Sequence, residues 1–183
     1  MEFVQHPENT HASLVKAMQI MDGVEFDLRL TADDQLVVHH DHTVSIPKEK
    51  LDGRPKIVEE WNLAELEEIG FCSFEKLMAD KEWLVPWQEH SKVACLEIKR
   101  CLPSIEKEPT KRMARIMELA SEMVDDAGIH DEAAVFYAFH KPMKKVAKLS
   151  GSNRPWSRLL PVVPRTGSHN SKRIRALPQF IAY

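Results

Sequence analysis

Two hydrophobic periods run through the chain, one close to 3.6 residues and one of two. Thr10 precedes a stretch with Leu14, Met18 and Met21 on one face and Ala17 beside them, which predicts an amphipathic helix capped by Thr10 and ending near residue 21. Val24-Glu25-Phe26-Asp27-Leu28-Arg29-Leu30 then alternates strictly, which predicts a strand with one apolar and one charged face. Asp33-Asp34 signals a turn before Leu36-Val37-Val38-His39-His40-Asp41, a short β-rich run. Residues 45–57, with Pro47, Gly53 and Pro55 among lysines, read as a loop. A helix is predicted over 62–69 and a weaker one over 74–80. Ala94-Cys95-Leu96-Glu97-Ile98 reads as a strand ending in Lys99-Arg100. After Pro103, residues 109–126 carry the stripe Met113, Ile116, Met117, Ala120 and Met123, with Gly128 as the stop. A strand over 134–139, a helix over 142–149 and a strand over 159–163 complete the pattern, and the last twenty residues have no clear periodicity.

Strands alternating with helices predict an α/β fold with largely parallel strands. The 183 residues suit one domain. About five strands are visible, whereas a closed (β/α)8 barrel needs eight and typically about 250 residues. Hydrophobic content of 43% and charged content of 29% are those of a globular chain. No apolar run approaches the roughly 20 residues of a membrane span, and the N-terminus lacks the pattern of a secretory leader. The simple expectation is a cytoplasmic location. Cys72, Cys95 and Cys101 lack the paired spacing of a zinc or redox motif and read as reduced thiols, Cys95 as a small core residue. Charge is uneven. Residues 133–183 hold ten Lys and Arg and no acid, against 15 basic and 28 acidic residues before them. That asymmetry suits either an anionic partner or solvated helix faces and a basic tail.

Candidate chemistry begins at Glu25 and Asp27. Side chains two apart on a strand leave the same face, so both carboxylates converge. They either hold a hard cation between them or form a wet face on which Arg29 pairs with Asp27 at a sheet edge. Glu97 and Lys99 share a face in the same way. They are either a third metal ligand with a lysine for a phosphate oxygen, or an ordinary surface pair. In His39-His40-Asp41-His42 adjacent residues alternate faces, so His40 and His42 cooperate only if the strand continues. A general acid/base role for one histidine fits better than zinc ligation.

The segments Pro7-Glu8-Asn9-Thr10, Gly23 to Thr31, Val37-Val38-His39-His40-Asp41 and Leu96-Glu97-Ile98-Lys99, in that order, resemble successive signatures of the glycerophosphodiester phosphodiesterase family. The resemblance covers residues 3–100 well and 133–163 weakly. It implies a (β/α)8 barrel of the phospholipase-C-like phosphodiesterase type, here incomplete: the first strand is short or missing and the last strand-helix units are missing. Residues 1–163 are then a partial barrel and 164–183 a basic tail. The resemblance implies that Glu25, Asp27 and Glu97 bind a divalent cation, Mg2+ or Ca2+, that His40 and not His39 is a catalytic acid/base, and that Lys99 contacts the substrate phosphate. The expected reaction is metal-dependent hydrolysis of glycerophosphodiesters, small-molecule phosphodiester substrates, to an alcohol and sn-glycerol 3-phosphate. The family's first strand ends in His-Arg-Gly, which supplies a second acid/base and a phosphate-gripping arginine. This chain has no such tripeptide, and His6 is the one candidate to stand in for its histidine. The alternative is a homologue that binds a phosphoester or metal, or serves as an interaction module, without turnover. An open barrel leaves strand edges that a second copy, a rearranged sheet or the tail would cover. Nucleic-acid binding ranks last, because no binding motif or interleaved aromatics accompany the basic residues.

Overall fold

The computed structural model describes residues 6–44, 46, 51, 53–89, 92–139 and 143–157. The first helix, α1 (His11–Ile20), starts at a capping box: Thr10 Oγ1 accepts from the Ser13 amide while Ser13 Oγ accepts from the Thr10 amide. Its last turn holds no basic residue, and Lys92 supplies one from outside by donating Nζ to the carbonyls of Met18, Gln19 and Met21. The strand β1 (Gly23–Leu30) follows, then the short strands β2 (Leu36–Val38) and β3 (Cys72–Ser73). Between β2 and β3 lie a 3-10 turn (Val58–Glu60) and α2 (Leu63–Glu68), the latter capped by Asn62 within the predicted span. Beyond β3 come α3 (Phe74–Ala79), α4 (Lys81–Glu89), β4 (Val93–Ile98), α5 (Pro109–Asp126), β5 (Ala134–Tyr137), α6 (Met143–Ser150) and β6 (Trp156–Ser157).

The six strands form one sheet in the order β3-β2-β1-β4-β5-β6. Pairing is parallel from β1 through β4 and β5 to β6, with β2 and β3 added antiparallel at the other end. The parallel run is an arc of α/β barrel, and the sheet among the described residues does not close. The expected incomplete α/β barrel is therefore what the structure presents. No helix among these residues is long and apolar enough to cross a membrane.

One face of the sheet packs on helices. Val24, Phe26, Leu28 and Leu30 enter a core shared with Leu14 and Met18 of α1 and with Met113, Ile116, Met117 and Ala120 of α5. Phe26 meets Phe74 and Trp83, with ring centroids 5.8 and 5.7 Å away. Each large apolar side chain so buried contributes on the order of 1.5–3 kcal/mol. The other face of β1 holds Glu25, Asp27 and Arg29, and it is also buried, so the wet edge considered from sequence is not present. A second apolar cluster of Val37, Val44, Leu51, Val58, Trp61, Leu63 and Leu66 forms a lobe beside β2.

The structure differs from the sequence pattern at two places. Residues 81–89 carry no predicted element, yet they form α4, with Pro86 inside it and Trp83 and Trp87 buried one turn apart. The predicted strand over 134–139 ends at Tyr137, and a further short strand, β6, pairs with it. The predicted strand over 159–163, the basic tail at 164–183 and residues 3–5, which precede His6, lie outside the described residues.

Candidate active site at the ends of the parallel strands

Asp27, Glu97, Tyr137 and Ser157 occupy one row of the ladder across β1, β4, β5 and β6. In-register residues of neighbouring parallel strands share a face, so the pairing itself gathers them, and Glu25 joins from two positions earlier on β1. One ligand atom from each of Glu25, Asp27 and Glu97 lies within 4.8 Å of the others, and all three residues are buried. The sequence-predicted acidic trio is thus brought together.

Five of its six carboxylate oxygens have partners among the described residues. Lys99 Nζ lies 2.9 Å from Asp27 Oδ1 and 2.8 Å from Glu97 Oε1. Asn9 donates Nδ2 to Asp27 Oδ2 at 2.7 Å and accepts from the Asp27 amide at 3.3 Å. Asn9 adopts φ 53, a left-handed conformation that asparagine tolerates, and this turns its amide toward β1. Tyr137 OH is 2.5 Å from Glu25 Oε1 and 3.1 Å from Glu97 Oε2. A phenol has one proton, so it donates to one carboxylate and turns a lone pair to the other. A proton or a cation must offset that opposition. Burial, and then the Asp27 charge, push the Glu25 carboxyl up to about 7. Three buried carboxylates against one lysine, with only oxygen donors, fit a hard divalent cation, and this fit stands on the donor set itself.

Beside the cluster is an open cleft of about 240 Å³ lined by Arg29, His40, Asp41, His42, Glu97, Lys99, Arg100 and Phe139. The strand that was to carry the histidines stops at Val38, so His40 and His42 are not related by strand geometry. They reach one cleft because Arg29 gathers their loop. Its Nε and NH2 donate to the His40 carbonyl at 3.2 and 2.6 Å, and its NH1 meets His42 Nδ1 at 3.2 Å and Glu59 Oε1 at 2.7 Å. Arg29 pairs with Glu59 and not, as the alternative reading had it, with Asp27.

Each histidine has a different setting. His40 is exposed, with Nδ1 2.8 Å from Asp41 Oδ1, and this bond holds the Asp41 carboxyl below the usual carboxylate range. His39 turns away: Nε2 is 3.1 Å from the Thr43 carbonyl and the ring lies 4.7 Å from Phe71, so burial pushes its pKa down. His42 is half-buried, and burial followed by the Arg29 charge pushes it down as well. His6 is half-buried just before Pro7 and is not among the residues lining the cleft.

Asn9, Glu59 and Tyr137 belong to this network with no site role assigned to them from sequence, whereas Arg29 and His42 enter it through partners other than those the strand pattern suggests. For Tyr137 the only signal was its polar hydroxyl in an apolar run, and its role depends on a register that the local pattern does not contain.

The chain matches the model of the Glycerophosphoryl diester phosphodiesterase family over residues 3–137. A curated glycerophosphodiester phosphodiesterase of Caldanaerobacter subterraneus subsp. tengcongensis is 54% identical to it over 39 residues, 21% of this chain and 16% of that protein. The structure of a glycerophosphodiester phosphodiesterase from Thermotoga maritima is similar with a TM-score of 0.55 and 18% identity, covering 82% of this chain and 55% of that one. An Oleispira antarctica phosphodiesterase, solved in complex with the product sn-glycerol-3-phosphate, gives a TM-score of 0.57 and 25% identity, covering 79% of this chain and 57% of that one. The match thus spans little more than half the length of these two solved chains and a smaller share of the curated relative.

Proposed function

Because the chain belongs to the glycerophosphoryl diester phosphodiesterase family, we propose that its cleft hydrolyses glycerophosphodiesters to an alcohol and sn-glycerol 3-phosphate, with a divalent cation held by Glu25, Asp27 and Glu97. The observation that carries the proposal is the convergence of three buried carboxylates from two adjacent strands within 4.8 Å, at the edge of a cleft that also holds His40. Clefts at the carboxyl ends of parallel strands are where α/β folds place their chemistry.

Mg2+ or Ca2+, when bound, supplies Lewis-acid polarisation of a phosphoryl oxygen. The chain's own groups do the rest. Asn9 and Tyr137 hold Asp27, Glu25 and Glu97 in place through their hydrogen bonds. Lys99 brings a positive charge to the same edge of the cleft, where charge develops on the phosphoryl group. Donation of His40 Nδ1–H to Asp41 leaves Nε2 to take a proton from the attacking water. As the water oxygen bonds to phosphorus the ester bond to the alcohol breaks, the departing alkoxide takes up a proton from solvent in the open cleft, and His40 later returns its proton to solvent. One water is consumed per diester cleaved.

The test is release of sn-glycerol 3-phosphate from glycerophosphocholine and glycerophosphoethanolamine, with Mg2+ or Ca2+ and with chelator. Activity that needs the cation and disappears in His40→Ala supports the proposal, and no release under any of these conditions refutes it. The alternative reading is a phosphoester- and metal-binding module without turnover. Cation and sn-glycerol 3-phosphate binding without hydrolysis would select it.

A further inference from the structure

Three cationic side chains line the cleft, but two are already committed. Lys99 bridges Asp27 and Glu97, and Arg29 bridges Glu59, the His40 carbonyl and the His42 ring. Arg100, the residue after Lys99, is exposed to the cleft and has no ion pair or hydrogen bond among the described residues. His42 is the second uncommitted donor among the described residues. A guanidinium only donates, so Arg29 fixes His42 Nδ1 as the acceptor and leaves the ring hydrogen on Nε2. We propose that His42 Nε2–H and the Arg100 guanidinium form an anion-binding pair that holds the phosphoryl oxygens of a phosphoester in this cleft.

The pair is chemically suited to that ligand. Arginine offers a planar set of donors matched to phosphate oxygens and keeps its charge at any working pH. A neutral imidazole held by Arg29 adds a directed donor without a second net charge. The neighbours of His42 are Arg29, Glu59, Asp41 and Lys99, of which Glu59 is neutralised by Arg29. The two donors come from separate segments, the loop after β2 and the end of β4, and line the same cleft. His40 stays free for proton transfer. The inference rests on the reading of this cleft as a phosphoester site and adds the two residues that grip the ligand.

The experiment measures binding of inorganic phosphate and of sn-glycerol 3-phosphate by calorimetry to the full chain, with Mg2+ present, beside turnover of glycerophosphocholine. Arg100→Ala and His42→Phe are expected to weaken both ligands about tenfold each, Arg100→Lys and His42→Gln to restore part of the loss, and the turnover defect to fall on KM more than on kcat. Because Arg100 is exposed, Arg100→Ala leaves the fold intact, and an unchanged thermal midpoint checks this. Unchanged dissociation constants in Arg100→Ala and His42→Phe would overturn the inference, as would a wild-type chain that binds neither ligand. Phosphate binding that depends on Arg100 in a protein without turnover would uphold the inference while removing the hydrolytic reading. Turnover by a protein whose ligand affinity ignores both residues would do the reverse.

Discussion

Replacing Glu25 by glutamine should stabilise the cation-free protein, and by an amount that depends on pH. The Glu25 carboxyl titrates at about 7 in the folded chain against 4.5 for the free group, chiefly because it is buried and faces Asp27. A carboxyl whose folded value is raised binds its proton more tightly in the native state, so the folded state is favoured at low pH and that advantage is lost as pH rises from 4.5 through 7. With 1.36 kcal/mol for each unit, ionised Glu25 costs about 3 kcal/mol at pH 8 and under about 1 kcal/mol at pH 5. Glutamine keeps the shape and cannot ionise. Glu25→Gln is therefore expected to raise the thermal midpoint by about 6–12 °C at pH 8 in chelator, and by only a few degrees at pH 5. Added divalent cation should reverse the order, stabilising the wild type by mass action more than the variant. Urea or thermal unfolding at the two pH values, with and without the cation, reads all four cases. An equal effect at pH 5 and pH 8, or a less stable variant at pH 8 in chelator, would refute the reasoning.

Lys99→Met strips the counter-charge from buried Asp27 and Glu97, so it should cost about 3–5 kcal/mol in chelator by denaturant unfolding, with part regained when a divalent cation is added. Lys92→Ala removes the charged donor from the last carbonyls of α1 and should cost about 1–2 kcal/mol, seen as a lower unfolding midpoint together with faster amide exchange in the last turn of α1. Burial pushes the Cys72 and Cys95 thiols up to about 12 and raises Cys101 as well, so a thiol reagent at pH 8 should label the native protein slowly and all three cysteines once it is unfolded in denaturant. Rapid labelling of the native chain would contradict that burial.

Residues whose role follows from local periodicity were legible in the sequence. Strict alternation in β1 put Glu25 and Asp27 on one face, and the same alternation in β4 did so for Glu97 and Lys99. Thr10, Asn62 and Gly128 marked helix ends that the structure retains. Features set by tertiary geometry were not legible. Tyr137 looks like one more apolar strand residue until the β4–β5 register puts it beside Glu97. His42 joins the cleft through a guanidinium thirteen positions away, after the strand that was expected to orient it has ended. Glu59 comes from a 3-10 turn whose sequence carries no sign that one of its acids would be buried. The helix α4 has no counterpart in the predicted elements, and it forms around Pro86 because the tertiary gain from burying Trp83 and Trp87 outweighs an unfavourable local preference.

The single ladder row that joins Asp27, Glu97 and Tyr137 also guards the chain against misassembly. Sliding β4 by one position against β1 would turn Glu97 and Lys99 into the oily layer beneath α5 and bring Leu96 and Ile98 up beside the acids. Each ion stranded there would cost several kcal/mol, far more than one mispaired strand recovers. The charges that equip the cleft for chemistry thus double as an alignment key, admitting one pairing of these strands and rejecting its neighbours.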